Sequence, residues 1–297
     1  MTTDHAEDSE HASPMEPVPM EPVPPPERRT RAGRNLTAAI AVGLGLGAVV
    51  LISLYVWKAA FLGVIALAVL LALWELSNAL RADRVRVAVV PIAVGGLAIL
   101  VAAYAGGSEP MTVALALTVL ATMVWRLPEN PAGYVRDVTS GIFVTLYVPF
   151  LAGFAALMLR DDDGADRVVV FILLTVFSDV GGYVAGVLFG KHPMAPHVSP
   201  KKSWEGFAGS ALFCAGGGAL IMPLLLEGTA AAGAAIGLAV MLTATLGDLG
   251  ESMIKRDLGI KDMGSLLPGH GGIMDRLDSL LPAAPVTFLL LTWLVPA

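Results

Sequence analysis

From Leu36 to its end the chain alternates long apolar runs with short polar loops, and this alternation limits the fold more than any other feature. The runs cover about 36–56, 59–80, 87–107, 110–126, 138–159, 166–190, 206–226, 229–254 and 279–296. Each is near or above the ~17–20 residues that a helix needs to cross the hydrocarbon of a bilayer. Backbone in lipid has no water to bond to, and a helix satisfies its N–H and C=O groups within one segment. The expected fold is all-α, a polytopic transmembrane helical bundle of about nine spans. Composition agrees, with 56% hydrophobic residues, 15% charged residues and a mean hydropathy of +0.73, whereas soluble domains carry about a quarter charged. The first run follows four arginines, as a signal sequence would, yet it leads straight into a second span and reads as a retained anchor.

Loop charge gives the orientation. With the N-terminus cytoplasmic, 16 of the 19 Lys and Arg residues fall on the inner side, and only Lys58, Arg160 and Arg167 fall outside. A bias of this size predicts N-terminus in and C-terminus out. It puts loops 191–205 and 255–278 on one cytoplasmic face of the cell membrane. Three regions follow: a tail over 1–34, N-terminal transmembrane helices over 35–165, and a region over 166–297 that carries both charged loops. The tail is acidic and proline-rich, with a doubled Met-Glu-Pro-Val-Pro unit, and is expected to be disordered, either inert or a docking peptide. Net charge is −6 and the longest basic tract is Arg28 to Arg34, so nucleic acid is not an expected partner. Cys214 is the single cysteine, which excludes an internal disulfide and a cysteine-based metal site and leaves a small packing residue.

Charge near lipid is expensive unless it binds something. Glu75, Asp179, Asp248 and Glu251 lie within or at the ends of apolar runs. Asp248, Glu251, Ser252 and Lys255 are spaced i, i+3, i+4, i+7, which places them on one helical face. That stripe suits either a site or a helix-to-helix ion pair. Downstream, Asp275 and Asp278 follow His270-Gly271-Gly272 near the start of the last run. Glycines before a helix N-terminus favour phosphate and paired carboxylates favour a divalent cation; a turn followed by ordinary N-terminal acids has the same sequence. Hard oxygen donors without cysteine point to Mg2+ rather than Zn2+. Asp179 precedes Gly181-Gly182, where a kink would turn its carboxylate to a cavity. Lys201 and Lys202 offer fixed positive charge to a phosphorylated ligand or to anionic lipid, and Trp204 suits the headgroup level. His192 and His197 read as surface loop residues.

Taken together, Ser252, Lys255-Arg256, Lys261-Asp262 and Pro268-Gly269-His270-Gly271-Gly272-Ile273-Met274-Asp275-Arg276-Leu277-Asp278 resemble the hallmark of the phosphatidate cytidylyltransferases, or CDP-diglyceride synthetases. The upstream Ser199-Pro200-Lys201-Lys202-Ser203-Trp204-Glu205-Gly206 matches that family's second block. The resemblance is strongest over about 170–280, and its one departure is Gly182-Tyr183, where Ala-Tyr is commoner. It implies a membrane enzyme of phospholipid biosynthesis that joins CTP to phosphatidate, giving CDP-diacylglycerol and pyrophosphate. It further implies Asp248 and Asp275 as Mg2+ ligands with Asp278 close behind, and a second cation is left open. Lys255, Arg256 and His270 complete the implied catalytic set. Ser199, Lys201, Lys202, Gly271, Gly272, Arg276 and Asp179 form the implied substrate-binding set. Two rival readings remain: the same transfer onto another lipid phosphate, and an ion-coupled transporter, which would place paired repeat-related sites near the midplane. Oligomeric state, including a homodimer, is not readable.

Overall fold

A computed structural model describes residues 36–264, 266 and 271–295. The tail and its arginines, and His270 with Pro268 and Gly269, lie outside the described residues. Among these, nine helices run in order: α1 Leu36–Val56, α2 Lys58–Ala82, α3 Val89–Gly106, α4 Ser108–Trp125, α5 Tyr134–Arg160, α6 Gly164–Phe189, α7 Trp204–Leu225, α8 Ala230–Asp257 and α9 Met274–Leu294. Helices α2 to α9 are eight segments long and apolar enough to cross a membrane, and α1 adds a largely apolar helix of 21 residues. The nine runs read from the sequence are therefore nine helices. The protein is a multi-pass helical membrane protein.

Two features depart from plain helices. Pro149 lacks an N–H, and the turn Leu146–Phe150 of α5 widens to a π-helical one there. Loop 191–205 contains a small antiparallel hairpin, β1 Pro193–Ala195 with β2 Ser199–Ser203, paired Pro193 to Ser203 and Ala195 to Ser199. Glu205 holds the hairpin's base by accepting from the backbone N–H of Lys191 (3.1 Å) and His192 (3.2 Å). Ser203 caps α7 by accepting from the Gly206 N–H at 3.1 Å.

Lipid supplies no hydrophobic force between helices, so close packing of small residues has to hold them. Helices α6, α7 and α8 do this with glycine. A Cβ on Gly218 of α7 would run into the carbonyl oxygen of Gly233 on α8, and the reverse substitution meets Gly218 in the same way. Between α6 and α7, a Cβ on Gly181 would stand 2.8 Å from the Gly209 carbonyl oxygen. Cys214 is fully buried in this packing, its thiol donating to the Leu174 carbonyl at 3.3 Å.

Side-chain contacts sort the loops onto two ends of the bundle. At one end Lys58 donates to the carbonyls of Asp161 and Asp162, Tyr55 to Asp166, and Arg167 to the Val295 carbonyl. At the other, Arg136 reaches Arg84, Lys202 reaches Asp248, Arg256 reaches Val198, and Glu75 near the end of α2 bonds Met274. Lys58, Arg160 and Arg167, the three residues singled out by charge bias, thus share an end, with Arg160 against Gly107.

Candidate active site

The polar residues of α6, β2, α7, α8 and the start of α9 converge on one cavity of about 480 Å³. Ser178 and Asp179 lie a full ten residues before the end of α6 at Phe189, so at a rise of 1.5 Å per residue the cavity reaches about 15 Å in from the helix end. Close approach of α6 to α7 makes the depth possible. Gly182 sits against Ser210, whose hydroxyl donates to the Ser178 carbonyl at 2.6 Å. Tyr183, part of the lining, is exposed, as are Val187 and Leu188 one turn further along α6.

Helix α8 contributes the stripe expected from its spacing. The Asp248 carboxylate meets the Lys202 ammonium of β2 at 2.6 Å and accepts from the Ser252 hydroxyl at 3.4 Å. One turn on, Lys255 bridges two carboxylates, Glu251 at 2.5 Å and Asp275 at 2.9 Å. Glu251 is 0% exposed and its Oε1 has no hydrogen-bond partner among the described residues, so the Lys255 ammonium is its compensating charge.

Asp275 organises the loop that precedes α9. Its carboxylate accepts from the backbone N–H of Met263 (3.1 and 3.2 Å) and of Gly272 (2.8 Å), as well as from Lys255. Gly271 has φ +80°, in the left-handed region that favours glycine, and a Cβ there would stand 3.0 Å from Asp275 Oδ2. The neighbouring Asp278 lies under α8, its carbonyl against Gly247, and its carboxylate accepts from the Ser279 N–H at 2.6 Å.

Of the residues singled out in the sequence, Asp179, Lys201, Lys202, Asp248, Lys255, Asp275, Arg276 and Asp278 line the cavity together. Ser199 lies on β2 outside the lining, and Arg256 is exposed and reaches the Val198 carbonyl at 3.4 Å. Gly271 and Gly272 act on the site through Asp275. Two acids were recognised in the sequence as intramembrane carboxylates but given no part in the site. One is Glu251. The other is Glu75 of α2, 1% exposed, which accepts from the Met274 N–H at 2.8 Å while Gly264 and Gly272 press against its carboxylate. Nothing in the spacing of one helix could connect Glu75 with a loop nearly 200 residues away. Asp262 also lines the cavity.

Four cationic and five anionic side chains face this space, so its own charge is close to balanced. A polyanion entering alone would meet as much repulsion as attraction. A polyanion accompanied by a divalent cation fits both halves of the lining, with lysines for phosphate oxygens and carboxylates for the cation. Among the described residues no three Asp, Glu, His or Cys side chains group closely enough to cage an ion by themselves.

The fold and the cavity together define a class: a polytopic membrane protein with a cavity of mixed charge toward one end of its helical bundle. Residues 37–294 match the Cytidylyltransferase family. Similar proteins include the phosphatidate cytidylyltransferases of Mycobacterium bovis, 41% identical over 91% of this chain and 92% of that one, and of Mycobacterium leprae, 43% identical over 89% and 90%. That of Brucella suis is 38% identical over 47% of this chain and 54% of its own. The chain belongs to the Cytidylyltransferase family.

Proposed function

We propose that the chain transfers the cytidylyl group of CTP to phosphatidate, giving CDP-diacylglycerol and pyrophosphate, with its cavity open to the cytoplasm. The observation that carries this reading is the meeting of Lys201 and Lys202 of the hairpin with Asp248, Lys255, Asp275 and Asp278 in one cavity within a bundle of membrane-spanning helices. Likeness to phosphatidate cytidylyltransferases along nine-tenths of the chain supports it.

A phosphate oxygen of phosphatidate attacks the α-phosphorus of CTP, the bond from that phosphorus to the bridging oxygen breaks, and pyrophosphate leaves. The protein's task is to hold two anions in line and to offset the charge that builds on the leaving group. Lys201 and Lys202, at the mouth, are placed to receive phosphate oxygens, and Arg276 adds a planar donor fork. Lys255, held between Glu251 and Asp275, presents a fixed ammonium that cannot swing away at low cost. Asp248 and Asp275, with Asp278 close behind, would share Mg2+ with the substrate phosphates, and the ion would supply neutralisation of the triphosphate charge. Met263 and Gly272 fix the Asp275 carboxylate through their N–H groups. The depth of the cavity lets a lipid phosphate be engaged below the surface while its acyl chains stay along the Tyr183 flank.

The test is incubation of purified protein in detergent with labelled CTP, phosphatidate and Mg2+. A CDP-lipid and pyrophosphate are expected in equal amounts, and a chelator should stop both. Their absence, with folded protein and Mg2+ present, rejects the proposal. Asp248→Asn and Asp275→Asn should each lower turnover by on the order of 100-fold or more, since each removes a charge that the transition state depends on. Near-normal activity in either would place the cation elsewhere.

A further inference from the structure

We propose a second, non-catalytic site for a phosphate-bearing anion, with an anionic lipid headgroup as its principal source, in the basic concavity between the α2–α3 and α4–α5 connections. This space of about 520 Å³ is lined by Arg81, Arg84, Arg86 and Arg136 around Asn130 and Asp137, and it shares no lining residue with the active-site cavity. Its floor is closed electrically. Asp137, 2% exposed, is paired with Arg126, itself 3% exposed, at 2.7 Å, and accepts from the Arg86 backbone N–H at 3.1 Å. Arg126 also takes Glu129 at 2.7 Å, leaving Arg86 a looser 3.4 Å contact with the same carboxylate. Arg86, Arg126 and Arg136 share the two carboxylates of Glu129 and Asp137, and the lining itself sets four arginines, Arg81 and Arg84 included, against the one acid Asp137.

Two observations favour a ligand over charge that merely sets orientation. Orientation requires basic residues in a loop; it does not require that residues from two connections converge on one concavity. The α2–α3 side is fixed by a helix cap, in which Arg84 (φ +61°) donates its N–H to the Arg81 carbonyl and Val85 donates to Leu80, and Arg136 ties the α4–α5 side to it by donating to the Arg84 carbonyl at 2.7 Å. Guanidinium forks match phosphate oxygens in pairs, so several of them around one cavity select phosphate over a single carboxylate. Position supplies the source. Arg81 lies in the last turn of α2 and Arg136 in the first turn of α5, the level of lipid headgroups. Glu75 bonds Met274 two turns below Arg81, so the concavity opens at the same end of the bundle as the active site.

The test uses the full chain in detergent, mixed separately with phosphatidylglycerol, phosphatidylcholine and inorganic phosphate, with bound molecules counted by native mass spectrometry. Phosphatidylglycerol should be retained about 10-fold or more over phosphatidylcholine, and Arg81→Gln with Arg84→Gln should erase most of that preference, since each basic residue near an anionic lipid contributes roughly a factor of five. Arg86→Gln, at a side chain 71% exposed, provides a gentler variant expected to lose a smaller share. Cytidylyl transfer at saturating substrate should be unchanged in both the double variant and Arg86→Gln, which separates this site from the catalytic reading. Retention of inorganic phosphate without lipid preference, again lost in the variants, would assign the site to soluble phosphates. Equal retention of both lipids with no phosphate bound, or undiminished preference in the folded variants, overturns the proposal.

Discussion

At the scale of single residues, Glu75 shows how a carboxylate can matter without touching substrate. It is buried and gives one oxygen to the Met274 N–H at the start of α9, where Asp275 follows. Glu75→Ala strands that N–H, at a cost of roughly 1–3 kcal/mol for an unsatisfied buried donor. It also leaves a void beside Gly264 and Gly272. We expect Glu75→Ala to lower turnover at least about 10-fold while the protein still folds. Glu75→Gln keeps an acceptor for Met274 and should retain most activity. Initial rates for the two variants, with melting in detergent as the folding control, check this; equal losses would mean that charge rather than acceptance is what Glu75 supplies. The sequence marks Glu75 as an intramembrane acid but cannot say which loop it meets, because the contact joins residues far apart in the chain. Asp248 and Lys255 are the opposite case. Their shared face follows from helical spacing within α8, and both line the cavity.

At the scale of elements, the cavity exists because three helices approach closely. Gly218 on α7 and Gly233 on α8 face each other backbone to backbone, with no room for a Cβ on either. Gly233→Val should destabilise the protein by about 1–3 kcal/mol, the usual penalty of overpacking, and lower activity by shifting α8 and with it Asp248. Gly216, two residues before Gly218 on α7, has nothing within 4 Å of a Cβ. Gly216→Ala should be neutral or stabilise by up to about 1 kcal/mol through helix propensity. A thermal melt of both variants in one detergent distinguishes them; equal effects would show that the glycines do not set the spacing. The apolar runs announce all nine helices, and their ends shift by only a few residues: α5 begins at Tyr134 rather than near 138, and the last helix begins at Met274 rather than 279. These extensions carry polar residues such as Asp137 and Asp275, which a hydropathy pattern leaves out and which tertiary partners hold in the helix. The hairpin at Pro193–Ala195 and Ser199–Ser203 is equally silent in the sequence, because strands as short as Pro-Met-Ala and Ser-Pro-Lys-Lys-Ser carry no alternation to read.

At the scale of the whole molecule, contacts separate the loops onto two ends, and charge bias proposes which end is cytoplasmic. A cysteine at Asp162 should react with an impermeant maleimide in intact cells, and one at Lys261 only after permeabilisation. Native Cys214 is buried and should contribute no background. The reverse labelling pattern would invert the orientation and place the cavity away from cytosolic CTP. What the amino-acid sequence determines alone is local in origin: run length dictates helices, and helical period puts Asp248, Glu251, Ser252 and Lys255 on one face. What only the tertiary structure decides is which polar groups from distant segments meet. Lys202 reaches Asp248, Glu75 holds the start of α9, Lys255 is shared by Glu251 and Asp275, and four arginines from two connections surround a second cavity. The physical reason is that helix formation follows from each segment's own transfer into lipid, whereas the partner of a buried charge depends on how closely whole helices can pack, and here glycine backbones set that distance.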